Sequence, residues 1–321
     1  MSHPDRSYLL IGPCKDEEKF MRRTLDSVVA QTLRPTKFII VNDGSTDRTG
    51  EIADEYAAKH DFIEVVHRPR REQRKVGGGV VEAFNAGLAT EDWKKYAYVC
   101  KIDLDLDLPH RYFERLVEIM ESRPRLGCFS GKAYYHTASG EFVSEGCDDI
   151  AALGMSKFYR TECYDQIGGF VQQVMWDAID GHTARLHGWE TGSADEDDLR
   201  VDHLRPMGSS DKGILKGRAR HGFGQYYMGS SFPYFFASVV NAARRRPYVV
   251  GAWSMLWGYL KAAATRQPRY RNAEFHKLLH RYQNRALIVG KNRAMQEVHD
   301  AYADRWKGGG RTTGHDAVAA E

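Results

Sequence analysis

Three aspartates, Asp103, Asp105 and Asp107, alternate with leucines in Lys101-Ile-Asp-Leu-Asp-Leu-Asp-Leu-Pro109. An extended backbone would put all three on one side, with neighbouring carboxylates about 7 Å apart. Like charges at that spacing repel, and burial would raise their pKa values. A hard divalent cation with oxygen ligands removes the conflict. Three readings compete. One is a solvated acidic loop. The second is a calcium loop, because Asp103, Asp105, Asp107 and Glu114 match the one, three, five and twelve spacing of an EF-hand. The third is an Asp-x-Asp pair holding Mn2+ or Mg2+ against a nucleotide diphosphate, ions typically held by one or two carboxylates plus substrate phosphates. The calcium reading ranks last: Leu108 stands where that loop needs glycine, and a strand pattern enters it.

The elements around this loop must deliver it to a site. Tyr96–Ile102 reads as a strand from its aromatic and β-branched residues, so the acids sit where a strand leaves a sheet, the end at which α/β sheets bind ligands. Tyr8–Pro13 reads as a first buried strand, Phe38–Val41 as a second and Phe62–Val66 as a third. Between them, Phe20, Thr24, Leu25 and Val28 recur at helical spacing, as do Ile52, Ala53 and Tyr56. This alternation predicts an α/β fold with a doubly wound, mainly parallel sheet flanked by helices. A basic run, His67 to Lys75, precedes Gly77-Gly-Gly79 and a helix over Val80–Ala89 that carries Asn85; glycines at a helix N-terminus can cradle a phosphate. Leu126–Gly131 reads as a further strand and Ala133–Val143 as a hairpin.

These motifs, in this order, resemble the family-2 glycosyltransferases of GT-A fold. The resemblance rests on Ile11–Glu18, Thr24–Thr32, Val41–Thr49, the Gly77–Leu88 stretch with Asn85-Ala-Gly87, and Ile102–Pro109 followed by Tyr112-Phe113. It implies inverting transfer of a sugar from a nucleotide-diphosphate donor, a UDP- or GDP-sugar, to a glycan or lipid-linked acceptor. It assigns Glu17 and Asp43 to the nucleoside, and Asp103 and Asp105 to the Asp-x-Asp pair that holds Mn2+ or Mg2+. Pro13, Lys75, Gly77 and Asp103 complete the expected nucleotide contacts. Ile167-Gly-Gly-Phe170 resembles the segment beneath the acceptor, which places Gly169 and Phe170 there with Trp176 and Asp180. Asp177 matches the acid that opens a helix and acts as the base, with Asp180 as the fallback; a helix cap is the plain alternative for Asp177. His203 and Arg205 resemble the segment that completes the metal shell. Lys15 and Asp16 stand where the family usually carries an aromatic residue and Asn, and Trp176 stands where it carries Glu. A sugar-nucleotide-binding protein without transfer activity is the competing reading.

The chain has 321 residues, 42% hydrophobic and 28% charged, with a net charge of +3. That is ordinary globular composition and too small an excess to argue for nucleic acid. Five scattered cysteines suggest small core residues in a reducing compartment. The expected organisation is a catalytic domain over 1–230, with a nucleotide-sugar half to about 115 and an acceptor half over 116–230. A helical region over 231–306 and a disordered tail over 307–321 follow. Tyr248–Leu260, with Trp253, Trp257 and Tyr259, is apolar almost all round and too short to span a bilayer. Beside Arg244-Arg-Arg246 and Lys261 it suits the interface of an anionic membrane; burial under the catalytic domain or a homodimer contact are the alternatives. The catalytic part is expected in the cytoplasm, and at the inner face of the plasma membrane if that segment docks there.

Overall fold

The computed structural model describes residues 5–70, 77–205, 213–244 and 247–307. The first half alternates as the sequence predicts: β1 (Tyr8–Cys14), α1 (Met21–Val29), β2 (Lys37–Asn42), α2 (Thr49–Ala57), β3 (Ile63–His67), α3 (Gly78–Leu88) and β4 (Tyr98–Ile102). Strand β1 pairs in parallel with β2 and β4, and β2 with β3. The side chains of β1 show what holds the sheet between layers. Tyr8 and Leu10 sink into a cluster with Met21 and Leu25 of α1. Leu9 and Ile11 point the other way, toward Val81 and Phe84 of α3. Both faces are covered, so the strands read as continuous apolar runs.

After β5 (Leu106–Asp107) and α4 (Tyr112–Ser122), the sheet gains β6 (Leu126–Ser130), β9 (Ser156–Arg160) and β10 (Glu190–Ser193). Its order is β10-β6-β9-β4-β1-β2-β3. Strand β9 is antiparallel to β4 and β6, which makes the sheet mainly parallel, as expected. Helices α5 (Thr161–Gln166) and α6 (Trp176–Leu186) follow β9.

A second sheet was not anticipated beyond its hairpin. It joins β5, β7 (Lys132–His136), β8 (Phe142–Ser144) and β11 (Arg200–His203) in the order β5-β11-β7-β8. Its register sets His203 opposite Leu106 and Asp202 opposite Asp107, so the aspartate loop is tied to a segment nearly a hundred residues downstream.

Five helices end the described chain: α7 (Ile214–Met228), α8 (Phe232–Ala242), α9 (Tyr248–Ala264), α10 (Ala273–Val289) and α11 (Lys291–Ala301). Helices α7 and α9 cross at backbone contact. A Cβ at Gly222 would run into the Met255 carbonyl, and one at Gly258 into that of Ala219. Packing thus joins α7 to a helix on the other side of the boundary expected at residue 230. Helix α10 rests on α6, with Phe275 and Leu279 against Ile179 and the Tyr282 ring 5.4 Å from His182. All five cysteines are free, four of them buried. Among the described residues no helix is long and apolar enough to cross a membrane. Most of the expected tail, residues 308–321, lies outside the described residues.

Candidate active site

A cleft of about 680 Å³ opens at the carboxyl ends of β1, β2 and β4, the end at which such sheets bind ligands. Of the residues singled out in the sequence, Pro13, Glu17, Asp43, Gly77, Asp103, Asp105, Trp176, Asp177 and His203 all line it. Lys75 lies outside the described residues. Gly169 and Phe170 do not line it. They border a separate cavity of about 280 Å³ shared with Asn85, and the Phe170 ring packs behind Trp176 at 4.7 Å. Asp180 is buried away from the cleft as well. Of the four residues expected at the acceptor, only Trp176 lines the cleft.

The end of the cleft at β1 and β2 is built from two strand-to-helix turns that interlock. Gly44 has φ +65°, and a Cβ there would collide with the Arg70 backbone, so the Asn-Asp-Gly turn needs its glycine. Ser45 donates its backbone N–H to the Asn42 side chain at 3.0 Å. Thr46 donates its own to Asp16 at 2.7 Å. Asp43 accepts from the Arg68 guanidinium at 2.7 Å. Gly77, at φ +80°, caps α3, and a Cβ there would stand 3.0 Å from the Val174 backbone. The glycine run thus lets α3 close against the segment leading into α6, and its N-terminus opens on the cleft.

The aspartates do not form a ladder. The backbone bends after Ile102 and only Leu106–Asp107 is strand. Asp103 and Asp105 face the cleft, while Asp107 turns to Arg23 at 2.7 Å. Glu114, the twelfth position of the calcium reading, sits on α4 and accepts from Arg111 and Thr32. The alternating leucines, Leu104, Leu106 and Leu108, are all buried. Withdrawal from water raises the Asp103 pKa; Asp105 raises it further, and the Lys101 ammonium opposes both.

Arg205 donates to Glu17 and to Asp105, each at 2.7 Å. The other Asp105 oxygen lies 3.8 Å from His203 Nε2. His203 Nδ1 is held by Glu145 at 3.1 Å. Burial alone would lower the His203 pKa, but Glu145 and Asp105 outweigh it and raise it. A carboxylate fixing one ring nitrogen while the other points at an acid is the usual setting of a metal-bound histidine. This nitrogen and oxygen set suits Mn2+ and, through its carboxylates, Mg2+. Among the described residues no group of three or more His, Cys, Asp or Glu side chains is placed to hold a metal ion. The arrangement fits an ion shared with phosphate oxygens.

Asp177 lies in the first turn of α6, not at its cap: the cap residue is Met175, in the left-handed region at φ +69°. The side chain packs over Gly154, where a Cβ would stand 3.1 Å from Oδ2. His221, Arg218 and Arg220 of α7 line the cleft on this side, with His221 near enough to feel the Asp177 charge. Lys216, on the same helix, is not among the lining residues, and Lys212 lies outside the described residues.

Two groups not anticipated from the sequence belong to this wall, Lys101 lining the cleft and Lys157 behind it. Lys101 and Lys157 are cross-strand partners on β4 and β9, and both are buried. The Trp176 ring centroid lies 5.6 Å from one ammonium group and 5.4 Å from the other. Lys157 donates to both oxygens of Asp180 at 2.5 and 2.6 Å and to the Asp177 carbonyl at 2.6 Å. Tyr159 and the Gly181 N–H also donate to Asp180. The available signal was a charged residue inside each apolar strand, in Tyr98-Val-Cys-Lys-Ile102 and in Ser156-Lys-Phe-Tyr159.

Residues 10–163 match the family described as glycosyl transferase family 2. This segment belongs to that family. The chain is 34% identical over 112 residues, 35% of its length, to the uncharacterized glycosyltransferase EpsJ of Bacillus subtilis (strain 168), of which it covers 30%. It is 31% identical over 125 residues, 39% of its length, to the poly-beta-1,6-N-acetyl-D-glucosamine synthase of Staphylococcus epidermidis, of which it covers 27%. The chain thus spans under a third of the length of these relatives. Its fold is similar to that of the mannosyltransferase PcManGT from Pyrobaculum calidifontis, solved in complex with GDP-Man and Mn2+. The TM-score is 0.52 at 17% identity, over 95% of this chain and 87% of that one. The architecture is that of the GT-A glycosyltransferases.

Proposed function

We propose that the protein is an inverting, metal-dependent hexosyltransferase that uses a UDP- or GDP-sugar and acts in polysaccharide or cell-envelope glycan synthesis. The observation that carries this is the convergence of Asp103, Asp105 and Asp177 on one cleft that Arg218 and Arg220 also line. Support for the donor class and for polysaccharide assembly comes from the names of the similar proteins.

Glu17 and Asp43 orient the nucleoside at the ends of β1 and β2. Asp103 and Asp105, with His203, would hold Mn2+ or Mg2+. When bound, the ion offsets negative charge that develops on the departing diphosphate. Arg218 and Arg220 offer further positive charge to the same group. Asp177 accepts the proton of the acceptor hydroxyl as its oxygen bonds to the anomeric carbon. The bond from that carbon to the diphosphate oxygen breaks, and its electron pair leaves with the nucleotide. One in-line displacement inverts the anomeric centre.

The test measures donor hydrolysis and transfer with Mn2+. Asp177→Asn and Asp105→Ala are each expected to lower turnover by about 10²–10⁴-fold, and a chelator to do so reversibly. Undiminished turnover in both variants would end the assignment. Calorimetric donor binding without transfer to any acceptor of a panel would instead favour a sugar-nucleotide-binding protein.

A further inference from the structure

The helices after residue 212 differ in charge from everything before them. Residues 212–273 contain eleven Lys and Arg and not one Asp or Glu. A segment charge of +11 in a chain of +3 leaves −8 on the rest. Such an asymmetry marks a surface for an anionic partner.

The same segment exposes its large apolar side chains. On α9, Val249, Trp253 and Trp257 are 71%, 64% and 58% exposed, and Leu260 continues the stripe at i, i+4 and i+3 spacing. The opposite face of α9 is occupied: Ala252, Met255 and Tyr259 are buried against α7 and α8. Helix α8 carries a second stripe, Phe232, Phe236 and Val240, that is exposed as well, and the Phe232 ring meets Tyr259 of α9 at 6.4 Å. Lys261, Arg266 and Arg244 stand exposed at the ends of these helices. Tryptophans on one face with cations at the ends describe a helix that lies in a membrane interface. Helix α9 is 17 residues, roughly 25 Å long, and would lie along the surface.

We propose that the outer faces of α8 and α9 dock on a bilayer containing anionic lipid. The occupant is argued from charge complementarity. A second copy would bring the exposed Arg244, Lys261 and Arg266 of one face against the same cations of another, and a nucleic acid would leave the Trp and Val stripe without a partner. Docking bears on the site because α9 crosses α7 at backbone contact, and α7 lines the cleft with Ile214, Arg218 and His221. A bilayer under α9 therefore brings the base side of the cleft to the lipid surface and presents it with an acceptor anchored there. That last step rests on the transferase reading; the docking does not.

The experiment is flotation of the whole chain with vesicles of phosphatidylcholine alone or mixed with phosphatidylglycerol, beside donor hydrolysis in the same samples. The wild type is expected to float with the mixed vesicles, less with the neutral ones, and less again when salt is raised well above 0.1 M, about where the Debye length is 10 Å. Trp253→Ser with Trp257→Ser should lower vesicle binding about tenfold or more. Lys261→Gln with Arg266→Gln should weaken only the anionic preference. Both variants should keep wild-type melting temperature and hydrolysis in solution. Wild type that stays in the soluble fraction overturns the proposal, as does undiminished flotation of the double tryptophan variant. A wild-type dimer that this variant converts to monomer, without flotation of either, assigns the face to a second copy. Hydrolysis is read separately, so loss of catalysis and loss of docking are told apart.

Discussion

Two lysine–aspartate pairs stand side by side in this protein and behave differently. Lys101 and Lys157 face each other across β4 and β9, and each neutralises an aspartate. The Lys157–Asp180 pair is sealed, both side chains 1% exposed. The Lys101–Asp103 pair has one side open, because 35% of the Asp103 side chain reaches the cleft. Two buried ammonium groups on adjacent strands would repel; the two carboxylates and the Trp176 ring near both offset that. The sealed carboxylate has Lys157, Tyr159 and Gly181 as donors and no capacity left for a ligand. The open one retains acceptor capacity toward solvent, and only it can take part in chemistry. One helical turn separates Asp177, which lines the cleft, from Asp180, which holds the wall in place.

The comparison breaks if the sealed pair proves dispensable. Asp180→Ala strands a buried ammonium and should cost about 3–5 kcal/mol in urea denaturation. Replacing both partners, Lys157→Met with Asp180→Leu, should recover a large part of that loss. The open pair should give the reverse pattern. Asp103→Asn keeps a hydrogen-bond acceptor for Lys101 and should shift stability by about 1 kcal/mol, while donor turnover falls about a hundredfold. A variant at 103 that unfolds the protein but spares turnover per folded molecule would show that the two pairs do the same job. Trp176→Leu removes a π face shared by two cations and should destabilise by about 1–3 kcal/mol. The smallest effect is expected at Asp107→Asn: its partner Arg23 is exposed, so stability should move by under about 1 kcal/mol. Turnover at Asp107→Asn should stay at wild type, because this third aspartate does not face the cleft.

Much of the nucleotide side was legible because it depends on local chemistry. Buried parallel strands announce themselves as apolar runs, and turns need particular residues, as at Gly44. The ordered motifs therefore locate Glu17, Asp43, Asp103, Asp105 and Asp177, and the structure gathers all five in one cleft. The reading of Asp107 failed because alternation assumes a continuous strand. The chain instead bends at 103–105 to reach β11, a partner invisible to local spacing. Gly169, Phe170 and Asp180 were misplaced for a related reason. Phe170 packs against the Trp176 ring and Asp180 is buried with Lys157, contacts to distant segments that spacing along the chain does not show.

The amino-acid order by itself determined the alternating layers, the family resemblance and the identity of acids that line the cleft. These follow from steric and hydrophobic preferences acting over a few residues. Tertiary structure alone decided which acids open on the cleft and that Arg205 spans Glu17 and Asp105. It alone set Lys101 against Lys157, and turned one face of α9 outward. Each of these depends on where a distant segment comes to rest, and the free energy of burying a charge or a ring is set by all its neighbours at once.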